Sequence, residues 1–110
     1  MSKPSMPKQI LVYTNEGGKE PFLDWFNVLD KAAKNRIRTR LDRVELGNYG
    51  DYQSVGDDVY ELRFFFGPGY RIYFGESENT IFLLYGGIKA TQSRDIKKAK
   101  DYWRQYHEQI

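Results

Sequence analysis

An α+β domain with a mainly antiparallel sheet and helices on one of its faces is what this sequence predicts, and three observations predict it. Between Tyr60 and Ile88, apolar and polar residues alternate in runs broken by short turn sequences, the period of half-buried strands. Two other segments, around Phe22 to Val44 and Ile96 to Tyr106, repeat apolar residues at helical spacing. Each helical stripe needs an apolar partner, and the strand rows supply one. The predicted order is β-α-α-β-β-β-α over a single domain, residues 1–110.

Taken in order, Gln9 to Thr14 (QILVYT) reads as a short strand, and apolar residues on both its faces predict an interior place in the sheet. Pro21 fits the first turn of a helix, whose buried face is Phe22, Trp25, Phe26 and Leu29. Asp30 restarts or continues that helix. Ala33, Ile37, Leu41 and Val44 extend the stripe to Gly47, with Arg36, Arg38, Arg40 and Arg43 on a solvated face. The run GNYGDYQSVGDD, residues 47–58, predicts a long mobile loop.

The centre of the chain follows. Tyr60, Leu62 and Phe64 share one strand face, as do Tyr70, Ile72 and Phe74; Glu61, Arg63 and Phe65, with Arg71 and Tyr73, take the other. Gly67-Pro68-Gly69 makes the first turn and the segment Glu76 to Asn79 the second. With the apolar rows under the helices, Arg63, Arg71 and Tyr73 line an open, concave side. Lys89 follows Gly86-Gly87, where missing side chains allow a backbone or ligand to approach. Ser93 is the expected N-cap of a last helix buried through Ile96, Ala99, Trp103 and Tyr106.

Composition removes several classes of chemistry. With no cysteine there is no disulfide, thiolate nucleophile or cysteine-bound metal, which suits a reducing cytoplasm, and the single histidine, His107, cannot build a histidine metal site. No cofactor is expected. The first nine residues lack the apolar core of a signal peptide and no apolar run reaches membrane-spanning length, so a soluble cytoplasmic protein is expected. A net charge of +2 implies weak affinity for nucleic acid unless the cations are concentrated.

The segments YELRFFFGPGYRIYF and LLYGGIKATQSRDIKKAKDYW resemble the HigB-like branch of the RelE/ParE superfamily of type II toxins, the addiction module killer proteins. The resemblance extends over nearly the whole chain. It implies a toxin neutralised by a cognate antitoxin, in this branch often a helix-turn-helix protein. RelE and HigB members cut messenger RNA in the ribosomal A site, whereas ParE members inhibit DNA gyrase. Carried over by position, Arg71 matches the arginine that contacts the scissile phosphate, Arg63 falls near a basic residue of the preceding strand, and Lys89 takes the place of a cation ending the last strand. Two departures stand out. Glu61 occupies a position where some relatives have lysine, and RelE's C-terminal tyrosine has no motif-matched counterpart, leaving Tyr73, Tyr102 and His107.

Metal-independent RNA cleavage needs a proton acceptor, cations for the phosphorane charge and an acid for the leaving oxygen. Arg71 and Arg63 suit clamping through their planar donor forks. Lys89, an ammonium near two guanidinium groups, is a candidate proton-transfer group, and Glu61 is the rival base. Tyr73 would stack a base, and Arg94, Lys97 and Lys98 on the last helix would contact RNA. Each has a plainer reading: Glu61 beside Arg63 is also what an ordinary surface ion pair looks like, and tyrosines in strands usually pack. The reading that follows is a ribosome-dependent mRNA interferase, against a gyrase inhibitor or a non-catalytic binder of a host protein on the same scaffold.

Overall fold

The computed structural model describes residues 7–110, so most of the polar N-terminal start read above lies outside the described residues. Among the described residues the architecture is α+β, with a five-stranded mixed sheet and three α-helices. The elements are β1 (Gln9–Val12), α1 (Pro21–Asn27), α2 (Lys31–Glu45), β2 (Tyr52–Gly56), β3 (Val59–Arg63), β4 (Tyr70–Ser77), β5 (Thr80–Ile88) and α3 (Gln92–Gln109), with a 3-10 turn over Lys89–Thr91. Sheet order is β1-β5-β4-β3-β2. All neighbours are antiparallel except β1, which runs parallel to β5.

Local chemistry explains most boundaries. Pro21 sits in the first turn of α1. Asp30 restarts the helix: its side chain accepts from the Ala33 amide at 2.8 Å, so α1 and α2 are separate. Gly47, at φ 88°, lets the chain leave α2 while its amide still bonds Val44. At the β3–β4 connection Gly67 and Gly69 have φ of 57° and 77°, as a Gly-Pro-Gly turn requires. β4 runs further than expected, through Glu76 and Ser77, leaving Glu78-Asn79 as the hairpin turn.

One core lies where the strand rows predicted it. Leu62, Phe64, Ile72 and Phe74, joined by Ile81 and Leu83, pack against Phe22 and Phe26 of α1 and Ala33, Ile37 and Val44 of α2. Each fully buried side chain of this kind contributes about 1.5–3 kcal/mol.

Four expectations need correction. The 47–58 segment is not a long loop: it contains β2, an edge strand paired to β3 and turned through Asp57 and Asp58, both at positive φ. Being exposed at every residue except Val55, β2 carries no apolar signature. β1 is an edge strand, not an interior one, and Leu11 is 41% exposed. Ser93 lies inside the first turn of α3, whose N-cap is Thr91. Finally, helices cover both faces of the sheet. α3 packs across the second face, where Ala99 and Trp103 meet Tyr13, Val59, Tyr73, Phe82 and Leu84 in a second core. Two glycines make this approach possible: a methyl on Gly75 would lie 2.4 Å from the Trp103 ring, and one on Gly87 would collide with the Asp95 carboxylate. Gly86 on the opposite face is covered by Trp25, so the glycine pair receives the chain's own side chains.

Candidate functional site

Strand register decides which polar groups meet. Glu61 pairs across with Tyr73, Arg63 with Arg71, Gln53 with Glu61, and Arg71 with Gly87. Directly paired residues point to the same side, so Gln53, Glu61, Arg63, Arg71 and Tyr73 all face α3. Two arginines stand directly opposite each other, an arrangement that is unfavourable for the sheet alone.

Arg71 does not line an open, concave side as expected: with α3 over this face it is buried, with 6% of its surface exposed. Its Nε has no hydrogen-bond partner, and Nη1 reaches only the Tyr70 carbonyl at 3.5 Å, the outer limit of a hydrogen bond. Among the described residues no carboxylate lies within ion-pair distance of it. Arg63 is half-buried, donating from Nη1 to Gln53 Oε1 at 3.0 Å and lying 3.6 Å from Asp51 through Nε. Lys89 is exposed in the 3-10 turn after β5, where its amide bonds the Gly69 carbonyl at 2.9 Å. A methyl placed on Gly69 would lie 3.3 Å from Lys89 Cβ and 4.0 Å from Arg71 Nη1. Arg71 and Lys89 therefore flank the same glycine, with Arg63 across the strand from Arg71.

The acids are placed differently from the cations. Glu61 is fully buried; Oε2 accepts from Gln92 of α3 at 2.8 Å and Oε1 from Gln53 at 3.4 Å. It shares a face with Arg63, as expected, but α3 closes that face, so as it stands Glu61 is no accessible base. Asp95, 1% exposed, accepts from the Thr91 hydroxyl. Tyr73 is wholly buried and its hydroxyl has no hydrogen-bond partner. Burial, reinforced by the Glu61 and then the Asp95 charge, pushes its phenol well above the ordinary 10.0, against a smaller opposing pull from Arg71. The expectation that Tyr73 offers a stacking platform is thus corrected: α3 lies over it. Arg94, Lys97 and Lys98 are exposed on α3, with Lys98 5.4 Å above the Tyr85 ring and Arg94 3.5 Å from Asp95.

Sequence reasoning missed a second feature beside this site. A groove of about 590 Å³ runs between α2 and the β3–β4 connection. Its wall is built by Arg40, which donates to the carbonyls of Tyr49, Arg63 and Asp51 at 2.8, 2.9 and 2.7 Å and lies 4.9 Å over the Phe64 ring. Arg40 is a structural clasp and not part of a solvated face; burial lowers its pKa, opposed by Asp51. At the mouth Phe65 stands 82% exposed. The signal for the groove was the run of three phenylalanines before Gly67, the last of them next to a Gly-Pro-Gly turn, where the strand ends and its sheet neighbours no longer cover every ring.

Among the described residues no helix is long and apolar enough to cross a membrane, and no group of three or more His, Cys, Asp or Glu could hold a metal ion. No protein-family model matches the chain, and no solved structure matches it. An uncharacterized protein of Haemophilus influenzae is 43% identical over 81 residues, covering 72% of this chain and 82% of that one. At that identity and coverage, the chain belongs to the same family as this Haemophilus influenzae protein.

Proposed function

We propose that the chain is a HigB-like toxin of the RelE/ParE superfamily, a metal-independent endoribonuclease that cuts messenger RNA in the ribosomal A site. One observation carries this reading. Arg71 and Lys89 flank Gly69, Arg63 stands across from Arg71, and Arg71 has no carboxylate at ion-pair distance among the described residues. A buried guanidinium without an anionic partner is costly, and a phosphodiester would supply the missing anion.

In this reading the scissile phosphate meets Arg71 at the turn, and Arg63 shares the charge that develops on its non-bridging oxygens. Glu61 acts at one remove: it accepts from Gln53, whose carbonyl oxygen in turn accepts from Arg63, so the carboxylate orients the guanidinium. Lys89, exposed, is the group placed to exchange protons with the 2′-hydroxyl or the leaving oxygen. Arg94, Lys97 and Lys98 present a cationic helix edge to ribosomal RNA. A cognate helix-turn-helix antitoxin and a cytoplasmic site of action belong to the same proposal.

The burial of Glu61 and Tyr73 favours a second reading, a gyrase inhibitor that acts by binding, because it removes two proton-transfer candidates. Primer extension on mRNA from cells expressing the chain without antitoxin separates the two. New 5′ ends inside reading frames are expected. Intact mRNA with accumulating gyrase-cleaved DNA would overturn the interferase reading and establish the second.

A further inference from the structure

The groove beside α2 is lined by rings and guanidinium groups. Its apolar residues are Phe64, Phe65 and Phe66, beside Arg36, Arg40, Arg43 and Arg63. Flat rings suit flat ligands. Phe65 is 82% exposed, and Arg36 lies 4.5 Å above the Phe66 ring. Neither Arg36 nor Arg43 has an ion-pair partner among the described residues. Among the described residues Asp51 is the only acid lining the groove, and it is already engaged by Arg63. The groove and the Arg71–Lys89 site lie at the two ends of one connection: Phe64 to Phe66 border the first, and Gly69 borders the second.

We infer that this groove binds a segment of single-stranded RNA adjoining the phosphate held by Arg71, with a base stacked on Phe65 and the backbone on Arg36 and Arg43. Guanidinium groups take phosphates, and an exposed aromatic face takes any base. The choice of RNA over other polyanions rests on the interferase reading above.

The test is fluorescence anisotropy of the full chain with a labelled, uncleavable 2′-O-methyl oligoribonucleotide of about eight nucleotides, the span of one single-strand module. Wild type should bind at low salt, and Phe65→Trp should bind at least as tightly. Phe65→Leu and Phe65→Ala should bind about five-fold or more weakly, since both lose the ring face. Arg43→Ala should lower the salt slope by about one counterion. Melting curves would show whether each variant is folded, as the exposure of Phe65 predicts. Absence of wild-type binding, or Phe65→Leu binding as wild type does, overturns the inference. So does binding of an acidic, leucine-rich helical peptide at the groove when the oligonucleotide does not bind, which would assign the groove to a protein. Phe65 variants that bind and cleave normally, beside an inactive Arg71→Ala, overturn the groove and leave the interferase reading standing. Loss of binding in Phe65→Ala, with mRNA intact in cells expressing wild type, supports the groove and overturns that reading.

Discussion

Arg71→Ala separates a residue that works on a substrate from one that holds the fold. Removing a buried charge usually costs about 3–5 kcal/mol, because its partner is stranded. Among the described residues Arg71 has no such partner: its Nε is unbonded, its one hydrogen bond is 3.5 Å long, and Arg63 opposite carries the same charge. What Arg71→Ala deletes from the packing is two methylenes, Cγ and Cδ, at about 0.8 kcal/mol each, partly offset by relief of the unpaired guanidinium. The expected loss is about 1–1.5 kcal/mol, a fall in Tm of about 10 °C or less for a domain of this size. Loss of one preorganised charge donor, by contrast, lowers turnover about 10²–10³-fold. Growth inhibition on induced expression should therefore disappear while the purified protein still melts cooperatively. Arg71→Lys sharpens the comparison: it keeps the charge and most of the stem but loses the two-pronged donor geometry, so stability should sit near wild type and toxicity should remain low. Arg71→Ala that accumulates normally and still arrests growth would refute the assignment. Recovery of toxicity in Arg71→Lys in step with recovered Tm would refute the guanidinium-specific role.

Two further outcomes test the packing. Gly75→Ala should destabilise the protein by at least about 1–3 kcal/mol, since its methyl would fall 2.4 Å from a Trp103 ring that is itself buried; a urea midpoint unmoved by the change, followed by tryptophan fluorescence, would mean that α3 does not lie on this face. Tyr13, Tyr49, Tyr73 and Tyr102 all have phenols raised above 10.0, burial being the largest cause in each. A folded pKa above the unfolded one gives stability that is complete below about pH 10 and declines as pH rises beyond it. Urea unfolding from about pH 8 to 11 should show that decline, and Tyr73→Phe should make it shallower at little cost near neutrality; an unchanged slope in Tyr73→Phe contradicts the burial of its hydroxyl.

What could be read in advance followed from period and punctuation. Leu62, Phe64, Ile72 and Phe74 alternate cleanly, and the stripes of α1 and α2 match them in the structure. β2 was illegible because an edge strand with one partly buried residue has neither the alternation nor the apolarity that marks a strand, and its glycines and aspartates imitate a loop. The covered second face misled for a different reason. Glu61, Arg63, Arg71 and Tyr73 have the composition of a solvent face, and they tolerate α3 above them only because Gln53 and Gln92 satisfy Glu61 while Gly75 and Gly87 make room. A clue was present: two helices already occupied the first face, and the stripe Ile96, Ala99, Trp103, Tyr106 still needed an apolar partner. Tyr13, Phe82 and Leu84 could have provided it.

The covered face also bears on how the cationic site is kept ready. Two acids, Glu61 and Asp95, are buried on the same side of the sheet as Arg71, and the charge of each raises the pKa of the Tyr73 phenol. Either could have quenched the arginine. Instead Glu61 is held by two neutral glutamine amides, and Asp95 by the Thr91 hydroxyl and, at 3.5 Å, the Arg94 guanidinium; among the described residues their oxygens stay beyond ion-pair distance of Arg71. The protein thus carries the desolvation cost of a buried guanidinium without the Coulombic return that a salt bridge would give. Selection for stability alone would close that gap with a short shift of one carboxylate or replace the arginine with an apolar residue. A buried guanidinium with no carboxylate at contact distance, beside a turn that lacks side chains, keeps donor capacity that an external anion can fill, and this links the burial of Arg71 to the proposed phosphate site.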